Sequence, residues 1–341
     1  MSGPVSRDLD RLVGLVRAFR GKSAVVLGDL VVDEFVYGDI TRVSREAPVL
    51  ILDQTRTECV PGGGANSVAN LRALGAAPIP VGVVGDDEAG TRLVATLRRM
   101  RVDTSRILRL RGYHTPCKSR ILAGGVHTRR QQIVRVDRGS ERGELPGTAR
   151  RRLQTGLRSA LREVDGLLLA DYSYGAASPA VIEPLLPGIR RRGLPITVDS
   201  RRRVTQYHDV TACTPNQEEL EQALDLADVE DDSLEISGKR LLRRTRNQAV
   251  LVTRGSRGML LLERRRPARS IAAYGSDEVA DVTGAGDTVI AVFTLALICG
   301  ASFGEAAVLS NYAAGIVVTK AGTATTTRKE LIGAVREDLS R

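Results

Sequence analysis

Asp281-Val282-Thr283-Gly284-Ala285-Gly286-Asp287 leads almost directly into an apolar segment, Val289 to Cys299. If that segment is a helix, Gly284, Ala285 and Gly286 lie at its N-terminus. Two glycines and a small alanine leave bare backbone N–H groups there, at the positive end of the helix dipole, where an anion is stabilised. Asp287 closes the loop, and a carboxylate beside an anion site is repelled by it unless the carboxylate has a task. Accepting a proton from a hydroxyl that attacks a phosphoryl group is such a task. A plain strand-to-helix turn accounts for the same glycines, so the loop alone leaves both readings open.

Working outward, apolar β-branched runs alternate with helical patterns. Ala24 to Leu27, Pro80 to Val84, Gly166 to Ala170, Pro195 to Val198 and Ala249 to Val252 read as buried strands. Asn66 to Leu74, Glu88 to Arg99, Thr148 to Glu163, Pro179 to Arg191, Glu218 to Ala227 and Leu234 to Thr245 read as helices. This alternation predicts an α/β fold with a mostly parallel central sheet covered on both faces. Glu34 to Val60 and Arg111 to Asp137 break the rhythm. Val49 to Leu52 and Gln132 to Val136 within them look like strands with one wet face, as in a small antiparallel sheet. We therefore expect residues 1–341 to form a single domain with lid insertions at about 34–60 and 111–137.

Composition narrows the function. With 341 residues and 42% apolar content the chain can bury a full core. No apolar run is long enough to span a bilayer. Leu9, Leu12, Val13, Val16 and Phe19 recur at helical spacing among Arg and Asp, which predicts an amphipathic surface helix rather than a signal peptide, and a cytoplasmic location. Cys59, Cys117, Cys213 and Cys299 are scattered, without metal-site or disulfide spacing. The net charge of +10 comes from many short Arg clusters, but aromatic content is only 3% with no Trp, so base-stacking platforms are scarce. A nucleic-acid partner is not expected; a diffuse positive field suits phosphorylated small molecules equally well. His114, His127 and His208 lack a Ser or Cys partner motif, so a nucleophilic triad has no support.

Further constellations carry candidate chemistry. In Pro61-Gly62-Gly63-Gly64-Ala65-Asn66 the glycines allow close backbone approach to a ligand, and Asn66 can donate to and accept from hydroxyls or simply cap the next helix. Gly28-Asp29-Leu30-Val31-Val32-Asp33 ends the first strand with two carboxylates, at the end of a parallel strand where ligands bind. Asp33 is thus a candidate for paired sugar hydroxyls, or a turn residue. Asn216 and Glu219 share one face of a helix start, able to reach a phosphate and a metal-bound water, and a capping box predicts the same letters. Val252-Thr253-Arg254-Gly255-Ser256-Arg257-Gly258 reads equally as a nucleotide loop or a hairpin turn.

Taken in this order, Gly62 to Asn66 with Ala69 to Gly75, and Asp281 to Asp287, resemble the two signatures of the ribokinase-like (PfkB) family of sugar kinases. Within it, Gly28-Asp29, Asp33, Tyr37-Gly38, Arg42 to Val49, Asp171-Tyr172 and Asp281 to Ile290 are similar to the kinase domains of bacterial heptose-phosphate kinases. The chain departs from their pattern at Glu34, at Ser173-Tyr174 and at Asp199-Ser200-Arg201. Many of those enzymes carry a fused adenylyltransferase, a domain not expected in this sequence.

The resemblance implies a three-layer α/β/α fold with a β-lid and ATP-dependent phosphorylation of a sugar or sugar phosphate. The nearest substrate is D-glycero-D-manno-heptose 7-phosphate, phosphorylated at its anomeric hydroxyl. It implies Asp287 as base, with Gly284, Ala285 and Gly286 as anion hole. Asp33, Gly63, Gly64, Asn66 and Asp171 would bind the sugar, and Lys118 and Arg135 its phosphate. Asn216, Thr253, Gly255, Ser256, Gly258 and Asn311 would bind ATP, and Glu219 would hold Mg²⁺ through water. Asp281, Thr283, Val317, Lys320, Gly322 and Thr326 would hold K⁺, Lys320 only through its carbonyl. Lid pairing implies a homodimer. A kinase for ribose, fructose or a related sugar, and a non-catalytic sugar- or nucleotide-sensing module, are the alternatives.

Overall fold

The computed structural model describes residues 9–124, 131–139, 143–226, 231–275 and 280–337. Thirteen strands are described: β1 (Ser23–Gly28), β2 (Leu30–Val43), β3 (Leu50–Gly63), β4 (Ala77–Gly85), β5 (Ile107–Leu110), β6 (Cys117–Gly124), β7 (Gln131–Arg138), β8 (Gly166–Asp171), β9 (Ile196–Ser200), β10 (Ala212–Cys213), β11 (Ala249–Thr253), β12 (Met259–Glu263) and β13 (Arg269–Ile271). The helices are α1 (Leu9–Ala18), α2 (Gly64–Ala73), α3 (Glu88–Arg99), α4 (Gly147–Ala160), α5 (Pro179–Ile182), α6 (Leu186–Arg191), α7 (Gln217–Ala223), α8 (Asp231–Thr245), α9 (Ala285–Ile298), α10 (Phe303–Val318) and α11 (Arg328–Glu337).

The main sheet has the order β13-β12-β11-β10-β9-β8-β1-β4-β5. Pairings from β5 across to β11 are parallel, and the β11–β12 and β12–β13 pairings are antiparallel. Its centre explains the layering. Along β1, Ala24 and Val26 enter one core while Val25 and Leu27 enter the other, and β8 divides Leu168 and Ala170 from Leu167 and Leu169 in the same way. Because successive strand side chains point to opposite faces, a strand apolar at every position needs helices on both sides. The sequence order reverses between β8 and β1, so a crevice opens there at the carboxyl ends of the strands. α9 is buried from Asp287 to Ala296, apolar almost all round, and packs against α2 and α10.

A second, four-stranded sheet has the order β3-β2-β6-β7. β2 with β3 and β6 with β7 are antiparallel hairpin pairs, whereas β2 and β6 run parallel. β2 leaves the carboxyl end of β1 and β6 follows the parallel strand β5, so both depart from the same edge in the same direction. The β2–β3 hairpin is longer than residues 34–60, beginning at Leu30 and ending at Gly63.

Other boundaries moved for local reasons. The helix expected over 179–191 is two short pieces, α5 and α6, because Pro184 lacks the N–H that a continuous ladder needs. The helix expected over 148–163 ends at Ala160 and tightens into a 3₁₀ turn, Leu161–Glu163. Ala227 and His127 lie outside the described residues. The apolar run Met259–Glu263 is a strand that the sequence reading passed over.

Candidate active site

α9 begins where Gly284 takes a left-handed conformation (φ 80°), which a glycine adopts without a Cβ clash. A Cβ there would also meet Asn66 Nδ2 at 2.5 Å. No side chain caps this helix. Ala285 N–H donates to Val282 O at 3.2 Å, while the N–H of Gly286 has no backbone acceptor among the described residues. Gly286, exposed at the helix terminus, thus offers a free N–H there.

Asp287, one residue on, is buried and held from three sides. Tyr172 Oη donates to Oδ1 at 2.7 Å, Asn66 Nδ2 to Oδ2 at 3.0 Å, and Ser67 Oγ to Oδ1 at 3.4 Å. Asn70 Nδ2 donates in turn to Asn66 Oδ1 at 3.1 Å, fixing which end of the Asn66 amide faces Asp287. Burial pushes the Asp287 carboxyl up to about 6, against the opposing hydrogen bonds from Tyr172 and Asn66.

Around Asp287 lies a cleft of about 250 Å³, lined by Asp33, Gly63, Lys118, Arg120, Tyr172, Asp199, Arg201, Thr214, Asn216, Glu219, Thr253 and the 282–287 loop. These residues come from the carboxyl ends of β8, β9, β10 and β11 and from the second sheet. Arg120 Nη1 donates to Asp33 Oδ1 at 2.6 Å, both groups being nearly buried, and Thr323 Oγ1 donates to Oδ2 at 3.1 Å. Burial, then the nearby Arg201, lowers the Lys118 ammonium to about 8. Burial above all raises the Asp199 carboxyl well above its ordinary value and pushes the Glu219 carboxyl upward too. Two such carboxylates, with a buried Thr214 hydroxyl that has no protein partner, are a donor set suited to a hard cation and phosphate oxygens.

Several expected residues carry a structural bond as well as, or instead of, a cleft position. Asn216 and Glu219 form the full capping box of α7 (Glu219 N to Asn216 Oδ1 2.8 Å, Asn216 N to Glu219 Oε2 2.9 Å) and still line the cleft. Asp171 does not face the cleft. Its buried carboxylate accepts from Arg203 Nε at 3.0 Å and Nη2 at 2.5 Å, from Ser200 Oγ at 2.8 Å and from Tyr207 Oη at 2.7 Å. Arg135 does not reach it either, being exposed on β7 and paired with Asp137 at 2.9 and 3.0 Å. Gly64 lies against Gly28, 3.0 Å separating a Cβ there from Gly28 Cα, so a side chain would have to push that backbone aside.

Gly255, Ser256 and Gly258 form the turn of the β11–β12 hairpin, where only Thr253 touches the cleft. Asn311 on α10 donates to Ala272 O at 2.8 Å, and Ala272 lies against Gly258 of that turn. Asp281 joins the loop to the segment after α10, accepting from Thr283 N at 2.8 Å and Gly322 N at 3.1 Å. Lys320 turns its ammonium to Thr325 O and Glu330, and Val317 O accepts from Lys320 N at 3.0 Å. Thr326 is fully buried nearby.

Tyr172, Asp199, Arg201, Arg120 and Thr214 were not assigned to the site from sequence. Tyr172, Asp199 and Thr214 sit at or just beyond strand carboxyl ends, the rule that had singled out Asp33. Arg120 is two residues from Lys118, hence on the same strand face.

A profile of the pfkB family of carbohydrate kinases matches residues 23–330. The chain belongs to the pfkB family. Membership brings the class of reaction, ATP-dependent phosphorylation of a carbohydrate. Among relatives, the bifunctional protein HldE of Geobacter metallireducens is 38% identical over 317 residues, covering 93% of this chain and 63% of the relative. HldE of Caulobacter sp. strain K31 is 38% identical over 327 residues, covering 95% and 65%. The chain thus spans less than two thirds of the length of these relatives. Phosphofructokinase-2 from Escherichia coli, solved in complex with potassium, superposes with a TM-score of 0.74 at 17% identity, covering 94% of this chain and 100% of that one. Arabidopsis thaliana ribokinase, solved with ribose and ATP, gives 0.70 at 18% identity, covering 93% and 99%. At such identities these two show the fold that the pfkB family shares.

Proposed function

We propose that this pfkB-family chain transfers the γ-phosphoryl group of ATP to a hydroxyl of a sugar phosphate, and that the acceptor is the anomeric hydroxyl of D-glycero-D-manno-heptose 7-phosphate. The observation that carries the reading is the buried Asp287, held by Tyr172 and Asn66 beside the Gly286 N–H, in a cleft that also holds Lys118, Arg120 and Arg201. Asp287 takes the proton as the sugar oxygen bonds to phosphorus. The bridging oxygen departs with its electron pair on ADP, and Gly286 N–H steadies charge on the transferring group.

Asp33 and Gly63 would hold sugar hydroxyls, Asn66 would act through its bond to Asp287, and Lys118 with Arg120 would meet the acceptor's anion. Asn216, Thr214 and Thr253 would meet the nucleotide phosphates, and Gly255, Ser256, Gly258 and Asn311, beyond Thr253, would meet the rest of the nucleotide. Asp199 and Glu219 would hold Mg²⁺, which when bound neutralises phosphate charge. Asp281, Thr283 and the 317–326 segment would hold K⁺ through backbone oxygens.

The whole chain then acts as one kinase domain in the cytoplasm, and the second sheet is its lid, closing over the sugar to keep water out. The lid leaves Ile40, Val43, Val49, Leu50, Ile133, Val134 and Val136 exposed. Such a surface supports pairing of two copies through the lids. A panel of sugars and sugar phosphates, assayed by coupled ADP release, tests the substrate. Turnover of heptose 7-phosphate above the others is expected; inert heptose 7-phosphate beside an active alternative sugar would overturn the substrate and leave the reaction class standing.

A further inference from the structure

We propose that Tyr172 is a positioning residue for the phosphoryl transfer: its hydroxyl sets the Asp287 carboxylate, and its ring seats the two cations that flank the cleft, Lys118 and Arg201. The proposal rests on the reading of Asp287 as base. The geometry is one of convergence. Tyr172 Oη donates to Asp287 Oδ1 at 2.7 Å, while Lys118 Nζ lies 4.9 Å and the Arg201 guanidinium carbon 4.5 Å from the ring centroid. One side chain thus touches the base, a cation from the second sheet and a cation from the end of β9. Cations over an aromatic face are attracted to its ring electrons, and more strongly where water is displaced.

The backbone that carries Tyr172 is fixed by two buried carboxylates. Asp29 Oδ2 accepts from Tyr172 N at 2.8 Å and Tyr174 N at 2.9 Å, and Oδ1 from Ala176 N at 2.8 Å. Asp171 Oδ1 accepts from Ser173 N at 2.9 Å. Ser173 between them is held at φ 69°, a conformation non-glycine residues adopt only where surroundings impose it. A Cβ on Gly63 would also approach the Tyr172 ring to 3.3 Å, so the glycine loop leaves the ring its room. These bonds fix the backbone from which the Tyr172 side chain reaches Asp287. Seated in this way, Asp287 keeps one lone pair of Oδ2 without a protein donor in the wall of the cleft, and removal of the Tyr172 hydroxyl loosens the carboxylate's orientation.

The charged and titratable groups facing Asp287 are Tyr172, Asp33, Lys118, Asp199, Arg201 and Glu219. The Tyr172 hydrogen bond stabilises the ionised form of Asp287, so its loss raises the pH at which the base becomes available. Tyr172→Phe keeps the ring and both cation contacts. Its expected signature is a kcat reduced about ten- to a hundredfold, a KM for ATP within about threefold of the original, and an acidic limb of kcat displaced to higher pH. An independent readout needs no substrate: the Asp287 carboxyl band in infrared pH titration, identified by its disappearance in Asp287→Asn, moves to higher pH in Tyr172→Phe. An unchanged band and unchanged kcat overturn the proposal, as does a loss of activity that only follows a lowered melting temperature. A moved band in a protein inactive on every sugar would sustain the contact and sink the kinase reading instead, so the two failures are distinguishable.

Discussion

Asp287 concentrates the chemistry of a single residue: buried, at a helix N-terminus, with its carboxyl raised to about 6 mainly by burial. A base works only when ionised, so kcat/KM is expected to fall as pH drops through about 6 and to level off above it, as a pH–rate profile would show. Asp287→Asn should retain ATP binding by calorimetry and lose about 10²–10⁴-fold in turnover; near-normal turnover would dismiss Asp287 as base. Stability moves the other way. Asp29 and Asp287 both titrate at about 6 in the folded state, above their ordinary value of 3.8. The folded form therefore holds these protons more tightly than the unfolded one. That contribution is complete below the unfolded carboxyl pKa and is lost as pH rises through about 6. Calorimetric melting is expected to show at least as high a midpoint at pH of about 5.5 as at about 7.5, with activity rising over the same interval.

At the scale of elements, the end of β3 leaves Asp33 its room. A Cβ on Gly62 would lie 2.4 Å from Asp33 Oδ2. Gly62→Ala must therefore displace the carboxylate that Arg120 and Thr323 hold. Loss of such charge-assisted bonds to a sugar is worth about 1.5–3 kcal/mol, so KM for the sugar should rise about ten- to a hundredfold with KM for ATP little changed. Steady-state kinetics in both substrates would check this, and equal effects on both would discount Asp33 as a sugar ligand. The elements themselves were largely legible beforehand. β1, β4, β8, β9 and β11 are continuous apolar runs, and α9 follows a glycine turn, patterns that a few adjacent residues settle. Split helix 179–191 and strand β12 were less legible, the first because Pro184 interrupts a good apolar period, the second because a short apolar run fits strand and helix alike.

The whole molecule adds what no local window contains. Tyr172 and Asp287 are 115 residues apart in sequence and 2.7 Å apart in space. The exposed Ile133, Val134 and Val136 on β7 and Val43, Val49 and Leu50 on the β2–β3 hairpin belong to one sheet. If lids pair, Val134→Lys should shift the protein from dimer to monomer in sedimentation velocity while leaving its circular dichroism unchanged; a species of unaltered mass would place the interface elsewhere. From the sequence alone came the layered α/β architecture, the two glycine motifs and the proposal of Asp287 as base, because periodicity and a helix start are written in neighbouring residues. Only the tertiary structure decided that Asp171 is buried on Arg203, Ser200 and Tyr207 away from the cleft, that Arg135 pairs outside the cleft, and that Tyr172, Asp199, Arg120 and Arg201 enter it. The physical reason is that a parallel sheet brings the ends of sequence-distant strands to one edge, and which side chains meet there depends on register and twist across the whole sheet.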